Sequence, residues 1–73
     1  MTYGVIYESG DGAGWSAYVP DLPGAAAAGR TLDEVRRLMP GTIALHIRGL
    51  REDGLAVPPP TNMILEPVTV PVD

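Results

Sequence analysis

Tyr18-Val19-Pro20-Asp21-Leu22-Pro23-Gly24, followed by Gly29-Arg30-Thr31-Leu32-Asp33-Glu34-Val35, decides how this chain is built. Pro20 cannot donate to a β ladder, so it closes a strand over residues 15–19. Asp21-Leu22-Pro23-Gly24 then carries the residues of a tight turn. Residues 25–28 are four alanines, which by propensity alone suggest helix. The next signal decides against that. Thr31 followed three residues later by Glu34 is a capping box, so the helix starts after Thr31 and the alanines form a short strand.

Upstream, Tyr3, Val5 and Tyr7 alternate with Gly4, Ile6 and Glu8, a period-two pattern that predicts a strand over residues 2–8. Gly10, Gly12 and Gly14 allow the chain to reverse into the next strand. There Trp15, Ala17 and Val19 share one side, with Ser16 and Tyr18 on the other.

Downstream of Thr31, Leu32, Val35, Met39, Ile43, Ile47 and Leu50 recur every three or four residues and lay one apolar stripe along a helix. Asp33 and Glu34 suit its first turn, and Arg48 and Arg51 its last. Asp33/Arg37 and Arg48/Glu52 are spaced for i,i+4 pairs. Leu38 and Leu45 fall off the stripe and are candidates for a subunit contact. Pro40-Gly41 predicts a kink, or two helices in line, near residues 39–41, because proline removes the bond to the Arg36 carbonyl.

Gly54 ends the helical region, and Pro58-Pro59-Pro60 forms a stiff connector. Residues 63–72 predict a last strand with Ile64, Val68, Val70 and Val72 on one face. Pro67 and Pro71 share the other parity, so one side of this strand can pair and the other is blunted. The expected fold is α+β: one domain over residues 1–73, β-β-β-α-β, a small antiparallel-type sheet with one kinked helix on one face.

The strand-end turn, the Gly29-Arg30-Thr31-Leu32-Asp33-Glu34 start, the opening Tyr3-Gly4-Val5-Ile6-Tyr7-Glu8 and the later Glu52-Asp53-Gly54 together resemble the HicB-like antitoxin family. The resemblance runs from Tyr3 to about Pro60. It implies a truncated ribonuclease H-like layout without catalysis of its own. It also implies a binding protein that neutralises a small messenger-RNA-cleaving toxin. Members often carry a C-terminal DNA-binding segment; none is recognisable here, so operator binding is not expected of this chain alone.

Composition bounds the alternatives. The chain has 73 residues, no cysteine, no lysine, five arginines and nine acids, for a net charge of −4. Such a balance disfavours a nucleic-acid surface, which needs clustered cations, and favours a basic partner. A domain this short buries only about 60% of its unfolded surface. With no disulfide to staple it, a homodimer or higher homo-oligomer is expected. No apolar run approaches the roughly 20 residues of a membrane span, and the start is not a signal peptide, which predicts a cytoplasmic protein.

No motif carries catalysis. Gly10, Gly12 and Gly14 precede a strand, whereas a phosphate loop opens a helix. His46 is the single histidine and has neither a metal co-ligand nor a nucleophile to serve. Glu8, Asp11 and Asp21 are the nearest approach to a two-metal carboxylate cluster, but Asp11 and Asp21 read as turn residues. No catalytic, cofactor or metal residue is therefore expected. Tyr7, Trp15, Tyr18, Leu38 and Leu45 are the candidate contacts to a partner or a second copy, since aromatics are enriched at interface hot spots. The alternative to an antitoxin is a solitary homo-oligomeric scaffold or small-ligand binder of the same fold, with no toxin partner.

Overall fold

A computed structural model of the chain describes residues 1–10 and 12–72. Three strands, β1 (Ile6–Ser9), β2 (Trp15–Tyr18) and β3 (Ala26–Gly29), form an antiparallel sheet in the order β1-β2-β3, and one helix, α1 (Leu32–Glu52), follows. Register fixes two faces. Tyr7 lies opposite Ala17, and Ala17 opposite Ala27, in the row turned toward α1. Ile6, Tyr18 and Ala26 form a row on the other side, as do Glu8, Ser16 and Ala28.

The core is Ala17, Val19, Leu22, Ala25, Val35 and Met39, with Tyr3, Val5, Tyr7, Trp15, Ala27, Ile43, Ile47 and Leu50 packed around it. The expected helix stripe is therefore the buried one. The alanines in and just before β3 have a packing reason: Ala25 and Ala27 are small enough for α1 to lie close over that strand. Gly29 extends the same logic, because a Cβ there would stand 3.0 Å from Glu34 Cδ.

Leu22 is the turn residue with the largest structural task. It is 0% exposed, dropped into the core from the loop between β2 and β3. Two consecutive turns put it there: the Leu22 amide donates to the Val19 carbonyl at 3.0 Å, and the Ala25 amide to the Leu22 carbonyl at 3.0 Å. The second turn has Pro23 and Gly24 at its centre, and Gly24 has φ +94°. Proline then glycine with positive φ is the type II arrangement.

The helix begins with the N-cap half of the capping box, and the returning carboxylate bond falls one residue upstream of the cap, on Arg30. Thr31 Oγ1 accepts from the Glu34 amide at 3.1 Å, and Glu34 Oε2 accepts from the Arg30 amide at 3.2 Å. It ends in a Schellman motif: the Leu55 amide donates to Leu50 and the Gly54 amide to Arg51. Between these caps α1 runs through Pro40 as one uninterrupted helix, so the arrangement of two helices in line does not occur. Val35, Met39 and Ile43 anchor the helix to the core on both sides of the missing bond. Tertiary packing outweighs the local defect.

Two further expectations change. The ion pair on the wet side is Asp33 with Arg36, at 3.6 Å and i,i+3, rather than Asp33 with Arg37; Arg48 and Glu52 form no pair within 4.0 Å. Residues 63–72 form no strand; they are extended and exposed. Among the described residues, no backbone–backbone hydrogen bond involves residues 56–72.

The route to that segment is nonetheless fixed. The Tyr3 hydroxyl donates to the Pro58 carbonyl. Asp21 accepts from the Thr61 amide at 2.8 Å and from its hydroxyl at 3.0 Å. The proline connector is thus held at both ends, and an arm of residues 62–72 leaves from the clamp. Its first residues, 62–65, line a groove with Gly4, Val5 and Ile6 beside the start of β1.

Candidate interaction surface

The five candidate contact residues do not form one patch. Tyr7 and Trp15 sit on the helix side of the sheet, half-buried against the core. Tyr18 stands on the opposite face, 42% exposed. Leu38 and Leu45 project from the outer surface of α1, and Leu45 is 67% exposed. Seven residues bring a helix back to within about 20° of its starting direction, so those two leucines share a face two turns apart.

The open face of the sheet is therefore built from Ile6, Glu8, Ser16, Tyr18, Ala26 and Ala28. The alanines and serine keep it low, so a partner can approach the backbone, and Tyr18 and Ile6 supply its apolar contact. Tyrosine suits such a position because a rigid ring gives large contact area at small entropic cost. Alternation along β2 already separated Tyr18 from Trp15 in the sequence. What alternation could not give was the row that Tyr18 shares with Ile6 and Ala26, which depends on register.

Charge is unevenly placed. All five arginines lie within residues 30–51, four of them on α1, which also carries Asp33, Glu34 and Glu52 and so has a net charge of only +1. The three strands carry no arginine, and Glu8 is their one acid.

Other candidates resolve into structural roles. Gly10, Gly12 and Gly14 lie between β1 and β2, in a hairpin connection. His46 packs over the turn after β2, where a Cβ on Gly24 would be 3.4 Å from its Cε1. Of the possible carboxylate cluster, Glu8 is on the open face of β1 and Asp21 is occupied with Thr61. Asp11 lies outside the described residues. No group of three His, Cys, Asp or Glu side chains able to hold a metal occurs among the described residues. No helix of the described residues is long and apolar enough to cross a membrane. The long-range Asp21–Thr61 clamp had no signal in the sequence, where Asp21 reads as a local turn former.

An antiparallel three-stranded sheet, one capped helix across it and a Pro-Asp-Leu-Pro-Gly turn plugging the core define a small α+β domain. Residues 3–69 match the model of the HicB_like antitoxin of bacterial toxin-antitoxin systems, and the chain belongs to that family. That family is one of regulatory rather than catalytic proteins. None of the curated proteins compared with the chain matches it.

Proposed function

We propose that the chain neutralises a small, basic, messenger-RNA-cleaving toxin by direct contact that covers the toxin's active site. The family match over residues 3–69 carries this reading. Its supporting geometry is the open sheet face, where Tyr18 and Ile6 lie beside Glu8 on strands that carry no arginine. A basic partner is steered toward that side and away from the arginines of α1, which raises the rate of encounter. The site of action on this reading is the cytoplasm.

Co-expression with the small basic product of an adjacent reading frame tests the proposal. Growth arrest by that product should be relieved by this chain. Tyr18→Arg should abolish the relief and weaken binding by at least about tenfold, as loss of an interface hot spot does. Leu45→Ala, on the arginine-bearing side, should leave both unchanged. Failure of the parent chain to bind or protect overturns the reading. A solitary gene encoding a stable homo-oligomer would instead favour the scaffold alternative.

A further inference from the structure

The free length of the arm is an apolar surface that nothing in the chain covers. Residues 62–65 lie in the groove beside Gly4, Val5 and Ile6, so the margin of β1 is taken by this chain itself. Beyond it residues 66–72 are exposed, Val68 at 78% and Val72 at 84%. The radius of gyration is 14.6 Å, with a long axis of 50 Å. A compact chain of this length would have a radius near 11 Å. The arm therefore projects, and its valines stand in water at a cost of about 25 cal/mol per Å².

Its main chain is prepared to pair on one side only. In an extended segment, backbone groups of alternate residues point the same way. One side carries the amides of Glu66, Val68, Val70 and Val72. The other loses two amides to Pro67 and Pro71 and keeps only that of Thr69. The same prolines fix φ within the extended range, so little freedom remains to be lost on pairing. The root is held as well, by Tyr3 on the Pro58 carbonyl and by Asp21 on Thr61. A segment extended in advance, tethered at its root and open along one edge has the properties of a strand donor.

Charge defines the acceptor it fits. Within residues 1–51, five acids balance the five arginines. The whole net charge of −4 comes from Glu52, Asp53, Glu66 and Asp73, and no basic residue lies among residues 52–73. A neutral body offers an acidic strand no net attraction, whereas a basic protein is drawn to it. Position agrees with charge. Ile6 belongs both to the open sheet face and to the groove that holds residues 62–65, so the arm leaves from the margin of that face. Seven extended residues span about 23 Å, enough to reach across a partner seated on Tyr18 and Ile6.

We infer that residues 66–72 add as a strand to an exposed sheet edge of the basic toxin, pairing through the main chain of Glu66, Val68, Val70 and Val72. This is a second contact beside the open sheet face. It rests on the antitoxin reading and names a part of the chain that holds the toxin once bound. Main-chain bonds along the edge supply affinity, and the valines, all on one face of the added strand, supply selectivity. Glu66 at the root of the free length speeds encounter.

The parity of the arm supplies the test. Calorimetry measures binding of the purified full chain to the small basic product of the adjacent reading frame. Val70→Pro removes an amide of the pairing side and should raise the dissociation constant by about tenfold or more. Thr69→Pro removes the one amide of the other side and should cost several-fold less than that. Neither side chain belongs to the core, so both variants should keep the parent's circular dichroism. Hydrogen exchange gives a second readout. Amides of Val68 and Val70 should exchange freely in the chain alone at any concentration, and become protected when the basic product is added. Prolines of equal effect, or of none, overturn the inference and leave the antitoxin reading standing. So do arm amides already protected in the chain alone, or still unprotected in a complex that forms. A basic product that the parent chain neither binds nor neutralises overturns the antitoxin reading and the inference together.

Discussion

Leu22 concentrates much of the core's dependence on a single side chain. It is wholly buried although it belongs to a turn. Leu22→Ala should cost about 2–5 kcal/mol, the range for a buried leucine left as a partly collapsed cavity. Domains are stable by only about 5–15 kcal/mol, and a thin core sits low in that range. A urea titration should therefore show a large fall in midpoint. The Pro-Asp-Leu-Pro-Gly segment was readable as a turn, but the burial of its leucine was not. Turn chemistry specifies backbone angles and says nothing of which side chain the reversal aims inward. Asp21 repeats the lesson: its residue type announced a capping role, while its partner forty residues away was set by the path of the connector.

At the scale of elements, α1 holds together across a proline. Pro40→Ala restores the amide that should bond to Arg36, and proline costs about 3 kcal/mol relative to alanine in a helix interior. Pro40 is exposed, so the change disturbs little packing. A gain of about 1–3 kcal/mol in unfolding free energy is expected, visible as a raised melting temperature. Helix start, helix stripe and the first three strands were legible because caps and periodicity are local signals. Thr31 with Glu34 even overrode the helical leaning of the alanines that follow the Pro-Gly turn. Continuity through Pro40 was not legible, because the anchoring of Met39 and Ile43 in the core is a tertiary effect. The fourth strand failed for a related reason: alternation in residues 63–72 is a local signal, whereas a strand also needs a neighbouring edge in register.

For the molecule as a whole, the clamp between Asp21 and Thr61 joins the sheet to the arm. Asp21→Ala should cost about 1–3 kcal/mol, as expected for hydrogen bonds to a charged acceptor. Thr61→Val keeps the amide but loses the hydroxyl, so its effect and that of Asp21→Ala should not add. Unfolding curves of the two single variants and the double variant measure that coupling, and exchange of the Thr61 amide should quicken in Asp21→Ala. The candidate contacts were legible as residue types only. Distribution over three surfaces depends on which face of the sheet α1 covers, and no spacing within a single strand reveals that.

The projecting arm also bears on how long a copy survives in a cell. Degradation machines take hold of extended, unprotected polypeptide before they attack packed structure. The exposed arm presents such a handle continuously. Trimming of the handle should halt where Thr61 is tied down to Asp21.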